Sequence, residues 1–230
     1  MAFKSINWLI KHWSYFRSRG PCRLTNCLIS INLNANKRIL VIGDSNAFRP
    51  CGGEKSWPGL LKQKDPAHLE IFNESCDGRT TRYENGELNS LHVIKNLLSK
   101  YLPLDCVVIA VGTNDVKEKY GPPSLREITD GACRLLNIIV QHGNGAEPIL
   151  LTPPKLGKIA TGELSFAQQR ISSLAAEYGR IAEKQNIRHI DVFSIIDIAT
   201  DLEPDLIHLN AFGRKKIANA VWTCLKSLGQ

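Results

Sequence analysis

Five short apolar runs, each of strand length, alternate along the chain with stretches whose apolar residues recur every three or four positions. The runs are Arg38 to Gly43 (RILVIG), His68 to Asn73 (HLEIFN), Asp105 to Val111 (DCVVIAV), Glu147 to Thr152 (EPILLT) and Ile187 to Val192 (IRHIDV). They are continuous in their apolar character, not alternating, as expected of strands covered on both faces. Leu125, Ile128, Ala132, Leu135 and Ile139 form one helical stripe. Ile171, Leu174, Tyr178 and Ile181 form a second, and Ile217, Val221, Leu225 and Leu228 mark a C-terminal helix. Strand–helix–strand order implies right-handed crossovers and a mainly parallel sheet with helices on both sides. In such sheets ligands meet the carboxyl ends of the strands, so the loops following each run are the places to seek chemistry.

Nothing in the 230 residues suggests a second regime: 43% are hydrophobic and 22% charged, without repeat or low-complexity tract. One domain from residue 38 to residue 230 is therefore expected, behind an extension of residues 1–37. The net charge of +7 sits at the N-terminal end, nearly all of it in that extension. Lys4, Lys11, Arg17, Arg19, Arg23, Lys37 and Arg38 precede the first acidic residue, Asp44, and beyond them 22 basic residues face 22 acidic ones. A neutral domain argues against nucleic acid as partner. Within the extension Phe3, Ile6, Ile10 and Trp13 recur at helical spacing among basic residues. Three readings stay open: an organelle-targeting peptide, a membrane-surface helix, or an extra packing helix or leader without a role. A secretory signal is disfavoured, because charge interrupts every candidate apolar region. No run nears the ~20 apolar residues of a membrane helix, so a soluble protein without a transmembrane segment is expected, cytoplasmic unless the basic extension targets it to an organelle. The seven cysteines (Cys22, Cys27, Cys51, Cys76, Cys106, Cys133 and Cys224) are odd in number and scattered, which argues for a reducing compartment. None has metal-ligand spacing, and no metal is expected.

The loop after the first run is Gly43-Asp44-Ser45-Asn46. A Gly that permits a sharp turn followed by Ser at the sheet's carboxyl edge is where a nucleophile can be presented; the same residues also suit a polar turn with Ser or Asp as helix cap. After the second run, Gly78 could bring its backbone N–H close to a ligand or merely form a turn. After the third comes Gly112-Thr113-Asn114-Asp115, where the Asn114 amide could donate to a developing oxyanion or shape the loop. Ahead of the C-terminal helix, Asp205 and His208 are three residues apart. On a helical turn this offset brings a carboxylate beside an imidazole, which it can orient. There is no G-x-S-x-G, no Walker A motif and no G-x-G-x-x-G, which disfavours the α/β-hydrolase fold and nucleotide binding.

Together these blocks resemble the SGNH hydrolase family, also called GDSL esterases. GDSN, WPGLL, NESCDGRTT, DCVVIAVGTND and DLIHLNAFGRKKIA look especially like its branch of aryl esterases and acyltransferases, from Ile39 to about Leu225. The resemblance implies an α/β fold, a three-layer α/β/α sandwich around a mainly parallel, flavodoxin-like five-stranded sheet. It implies a serine esterase acting on small acyl or aryl esters without a cofactor. Ser45 would be the nucleophile, His208 the base and Asp205 its support; Ser45, Gly78 and Asn114 would form the oxyanion hole. Phe48 and Trp57 are candidate substrate walls, with core or loop packing as the alternative. Asp44 and Asp115 are assigned to loop structure. Two departures stand out: Leu206 replaces a Gly common in the last block, and Arg49-Pro50-Cys51-Gly52-Gly53 resembles a shortened substrate loop. Acyl transfer through the same intermediate, and a noncatalytic carbohydrate- or ester-binding protein, are the alternatives. Self-assembly into a homo-oligomer is left open.

Overall fold

The computed structural model describes residues 36–50, 53, 55–120, 124–159 and 162–228. The expectations for the extension up to residue 35 lie outside them. Five parallel strands form one sheet: β1 (Lys37–Gly43), β2 (Leu69–Asn73), β3 (Cys106–Ala110), β4 (Glu147–Leu151) and β5 (Arg188–Ile190), in the order β2-β1-β3-β4-β5. Each falls within or beside the run expected for it. The long helices are α3 (Ser90–Tyr101), α4 (Leu125–His142), α5 (Ala167–Gln185) and α8 (Ala211–Lys226); shorter ones are α1 (Ser45–Phe48), α2 (Trp57–Lys62), α6 (Val192–Ile195) and α7 (Ile198–Asp201).

Side chains of successive strand residues point to opposite faces, and the sheet thereby divides the core in two. Leu40, Ile42, Val107, Ile109 and Leu150 pack with Ile94, Leu98, Ile128, Leu135 and Ile171 of α3, α4 and α5. Ile39, Val41, Val108, Ile149 and Leu151 pack with Trp57 and Leu61 of α2 and Ile217, Val221 and Leu225 of α8. Full burial of each such side chain stabilises by about 1.5–3 kcal/mol, so the two clusters make a three-layer α/β/α arrangement the natural outcome. The helices have local stop and start signals. Ser124 and Glu127 form a reciprocal capping box on α4, Asn186 ends α5 at φ 52°, and the Asn210 side chain accepts the Phe212 and Gly213 N–H groups at the start of α8.

Strand β1 pairs with β2 on one side and β3 on the other. The connections leaving β1 and β3 therefore diverge, opening a crevice between the carboxyl ends of these two strands. Gly43 and Ala110 are opposed at that edge, so the Gly43-Asp44-Ser45-Asn46 and Gly112-Thr113-Asn114-Asp115 loops flank it. The sequence puts both at the same level of the sheet because their strands end in register. Among the described residues no helix is long and apolar enough to cross a membrane.

Candidate active site

Ser45 opens α1, with Asp44 as the cap whose side chain accepts the Asn46 N–H. The hydroxyl of Ser45 lies 3.0 Å from His208 Nε2, and His208 Nδ1 lies 2.6 Å from Asp205 Oδ2. Three residues separated by up to 163 positions thus form one hydrogen-bonded line at the sheet edge. The other Asp205 oxygen accepts the Ile207 and His208 backbone N–H groups, each at 2.9 Å, leaving Oδ2 to the imidazole. Burial pushes the Asp205 carboxyl up, but the His208 ring and these two N–H groups outweigh it and hold the group below its ordinary value.

The three-residue offset was expected on a helical turn. The segment is instead an irregular turn in which Leu206 takes φ 61°. The physical reason is the Asp205 side chain, which satisfies the N–H groups of Ile207 and His208 and closes a tighter turn than a helix would. Leu206, where the family commonly has Gly, therefore occupies a left-handed conformation that Gly enters without steric penalty. Gly157 accommodates it: a Cβ on Gly157 would lie 2.7 Å from Leu206 Cβ, and the Gly157 N–H donates to the Leu206 carbonyl at 2.9 Å.

Gly78 has φ +77°, so a side chain there would be strained. Asn114 Nδ2 donates one hydrogen to the Arg79 carbonyl at 3.1 Å, which fixes the amide beside Gly78 while its second N–H stays available. Arg79, buried, holds the same loop by donating from Nη2 to the Glu74 carbonyl at 3.0 Å. Among the described residues the backbone N–H groups of Ser45 and Gly78 have no protein acceptor. Ser45, Gly78, Asn114 and His208 line one cleft of about 420 Å³. Its far walls are mixed: Ile159, Leu164 and Ile207 are apolar, whereas Arg49 pairs with Asp77 and Lys117 with Glu163.

Two expected substrate walls are elsewhere. Trp57 is 1% exposed and belongs to the core between α2, α8 and the sheet, and the half-buried Phe48 does not line the cleft. An indole of that size at the start of α2 buries more apolar area against Leu61 and the strands than a cleft wall could offer. The conspicuous acids Asp44 and Asp115 both serve loop donors. Asp115 accepts the Thr81 N–H at 2.9 Å and the Thr81 hydroxyl at 2.6 Å. Burial pushes the Asp44 carboxyl up to about 6 against the Asn46 and Thr113 contacts, and pushes Asp115 up to about 7 against those from Thr81.

An α/β/α sheet carrying a Ser–His–Asp line beyond its strand ends defines a class, the ester hydrolases of SGNH type. The chain belongs to the GDSL-like lipase/acylhydrolase family, whose model matches residues 41–216, and is a carboxylic ester hydrolase. Solved structures share the fold. Est24, a carbohydrate acetylesterase from Sinorhizobium meliloti, is 22% identical with a TM-score of 0.75 over 84% of this chain and 100% of its own. The native aryl esterase of M. smegmatis is 24% identical with a TM-score of 0.74, over 84% and 99%. A lipase/acylhydrolase from Enterococcus faecalis is 20% identical, TM-score 0.67, over 84% and 99%. No curated protein matches the chain.

Proposed function

We propose that the domain, residues 38–230, hydrolyses small acyl or aryl esters through an acyl-enzyme on Ser45. The observation that carries this reading is the Ser45–His208–Asp205 line, at 3.0 and 2.6 Å, opening on a cleft that also receives Gly78 and Asn114. His208 Nε2 takes the Ser45 proton as Oγ bonds to the ester carbonyl carbon. The negative charge on the carbonyl oxygen is met by the Ser45 and Gly78 N–H groups and the free Asn114 N–H. The tetrahedral species collapses, the C–O bond to the alcohol breaks, and His208 returns the proton to the leaving oxygen. Water then repeats the sequence: its proton passes to His208, its oxygen bonds to the acyl carbon, and Ser45 Oγ leaves with the proton from His208. These steps use only side chains and backbone of this chain.

Another alcohol in place of water would give acyl transfer. The charged walls of the cleft, Arg49 with Asp77 and Lys117 with Glu163, favour a hydrated site and hence hydrolysis. A free-standing binding role is disfavoured because a receptor has no need of the Ser45–His208 contact. Cys76, Cys106, Cys133 and Cys224 are free thiols, which supports a reducing, cytoplasmic location. The test is release of p-nitrophenol from p-nitrophenyl acetate and longer esters. Ser45→Ala should lower turnover at least ~10³-fold with folding intact. Undiminished turnover by Ser45→Ala would remove the nucleophile assignment.

A further inference from the structure

We infer that Asn46 is a positioning residue that keeps His208 over Ser45 after the serine has been acylated. The inference rests on the acyl-enzyme reading above and adds a residue to it.

Besides the ring contacts to Asp205 and Ser45, the backbone at His208 is held by three hydrogen bonds. Its backbone N–H donates to Asp205 Oδ1 at 2.9 Å, its carbonyl accepts the Glu203 N–H at 2.7 Å, and the next N–H, that of Leu209, donates to Asn46 Oδ1 at 3.0 Å. The first two bonds lie within the segment 203–208 and fix its internal shape. The third crosses 163 positions to α1, the element that carries Ser45. Apart from His208 Nε2 to Ser45 Oγ, it is the hydrogen bond among the described residues that joins this segment to α1. Asn46 suits the task because it is itself fixed: it is 7% exposed, and its own N–H donates to Asp44 Oδ1 at 2.9 Å. Leu209, the donor, is buried in the core with α8.

Chemistry gives the bond its timing. Before reaction, Ser45 donates its hydroxyl proton to His208 Nε2, and that contact helps to align the two elements. Acylation converts Oγ to an ester oxygen without a proton, and the contact is lost while His208 must still take a proton from water. During that interval Asp205 still orients the imidazole, and the Asn46–Leu209 bond remains to tie the backbone that carries it to α1. Removing it should therefore slow deacylation more than acylation, since misplacement of a catalytic group by about 1 Å can cost ~10²-fold.

The experiment follows p-nitrophenyl acetate turnover by wild type, Ser45→Ala, Asn46→Leu and Asn46→Asp, with pre-steady-state release and intact mass after rapid quench. Leu fills the Asn volume without an acceptor; Asp keeps an acceptor oxygen at the same reach. The expected result for Asn46→Leu is a fall in kcat of about 10-fold or more, with KM falling in parallel. Its kcat/KM should stay within about 3-fold of wild type, an initial burst should appear and acetylated protein should accumulate. Asn46→Asp should restore the wild-type balance of the two steps. Should Asn46→Leu fail to fold, Asn46→Ala carries the same comparison. Wild-type kinetics in a folded Asn46→Leu or Asn46→Ala, or acyl-enzyme accumulating equally in Asn46→Asp, would overturn the inference while leaving Ser45 as nucleophile. Turnover by Ser45→Ala would instead overturn the reading on which it rests.

Discussion

Gly157→Ala, combined with Leu206→Gly, separates the shape of the His208 turn from its chemistry. A Cβ at position 157 would sit 2.7 Å from Leu206 Cβ and 3.1 Å from its Cγ and Cδ1. Carbon atoms at optimal contact are about 3.5–4.0 Å apart, so one side must move by about 1 Å. Overpacking of this kind costs about 1–3 kcal/mol. Leu206 cannot retreat freely, because its carbonyl accepts the Gly157 N–H and its φ of 61° is already left-handed. Leu206→Gly alone relieves about 1–2 kcal/mol of conformational strain, against about 0.5–1 kcal/mol of added backbone entropy and the loss of a half-buried side chain. Its net effect on stability should be near zero. In the double variant the three atoms nearest the Cβ at 157 are gone, so the pair should be non-additive by about 1–3 kcal/mol in chemical denaturation. Because residue 206 lies between Asp205 and His208, the same displacement should lower ester turnover of Gly157→Ala about 10-fold or more. Turnover of the double variant should return to within about 3-fold of Leu206→Gly. Additivity within about 0.5 kcal/mol, or full activity in a folded Gly157→Ala, would refute the packing argument.

The remaining expectations concern the oxyanion loop and the buried acids. Asn114→Ala removes a donor held by the Arg79 carbonyl and should lower kcat ~10²- to 10³-fold; a near-unchanged rate would reduce Asn114 to a turn residue. Asp115, pushed by burial up to about 7, binds its proton more tightly in the folded state than in the unfolded one. Stability should therefore fall by an amount on the order of 2–4 kcal/mol as pH rises from about 4 to about 7, and stay level above. Asp115→Asn keeps an acceptor for Thr81 and should flatten this slope in urea midpoints measured from pH 5 to 8; an unchanged slope would show that the acid is not the source. Asp205 runs the other way. Its lowered value contributes stability that is lost below about pH 4, the ordinary range of its carboxyl.

The strands were legible because each is buried on both faces: Ile39 to Ile42 and Val107 to Ile109 show no exposure, and burial of that kind leaves an unbroken apolar run. Helices α4, α5 and α8 were legible for the complementary reason, a single buried stripe. Helix α3 has such a stripe too, in Leu91, Ile94 and Leu98, yet it was not among the expected elements. The short helices α1, α2, α6 and α7 span four to six residues, too few to establish a period. Trp57 shows a different limit. An aromatic residue following a nucleophile loop looks the same in sequence whether its ring faces a cleft or the sheet, and here the packing of α2 on α8 turns it inward.

The site divides along the same physical line. Ser45, Gly78 and Asn114 could be found because each follows a strand, and strand ends are fixed by the sheet. Their neighbours follow no such rule. Asn46 reaches a backbone N–H 163 positions away, and Gly157 packs against Leu206, a side chain carried by left-handed backbone. Both are contacts between loops, and a loop's position follows from the whole fold rather than from local pattern. The sequence nevertheless held one clue, the Leu at 206 where Gly is common. In its left-handed turn Leu206 sets its side chain against Gly157, where a Cβ would be 2.7 Å away. The asymmetry explains why Gly157→Ala and Asn46→Leu are more informative than further changes at Ser45. They alter the distance between the histidine and the serine while leaving both reacting groups in place.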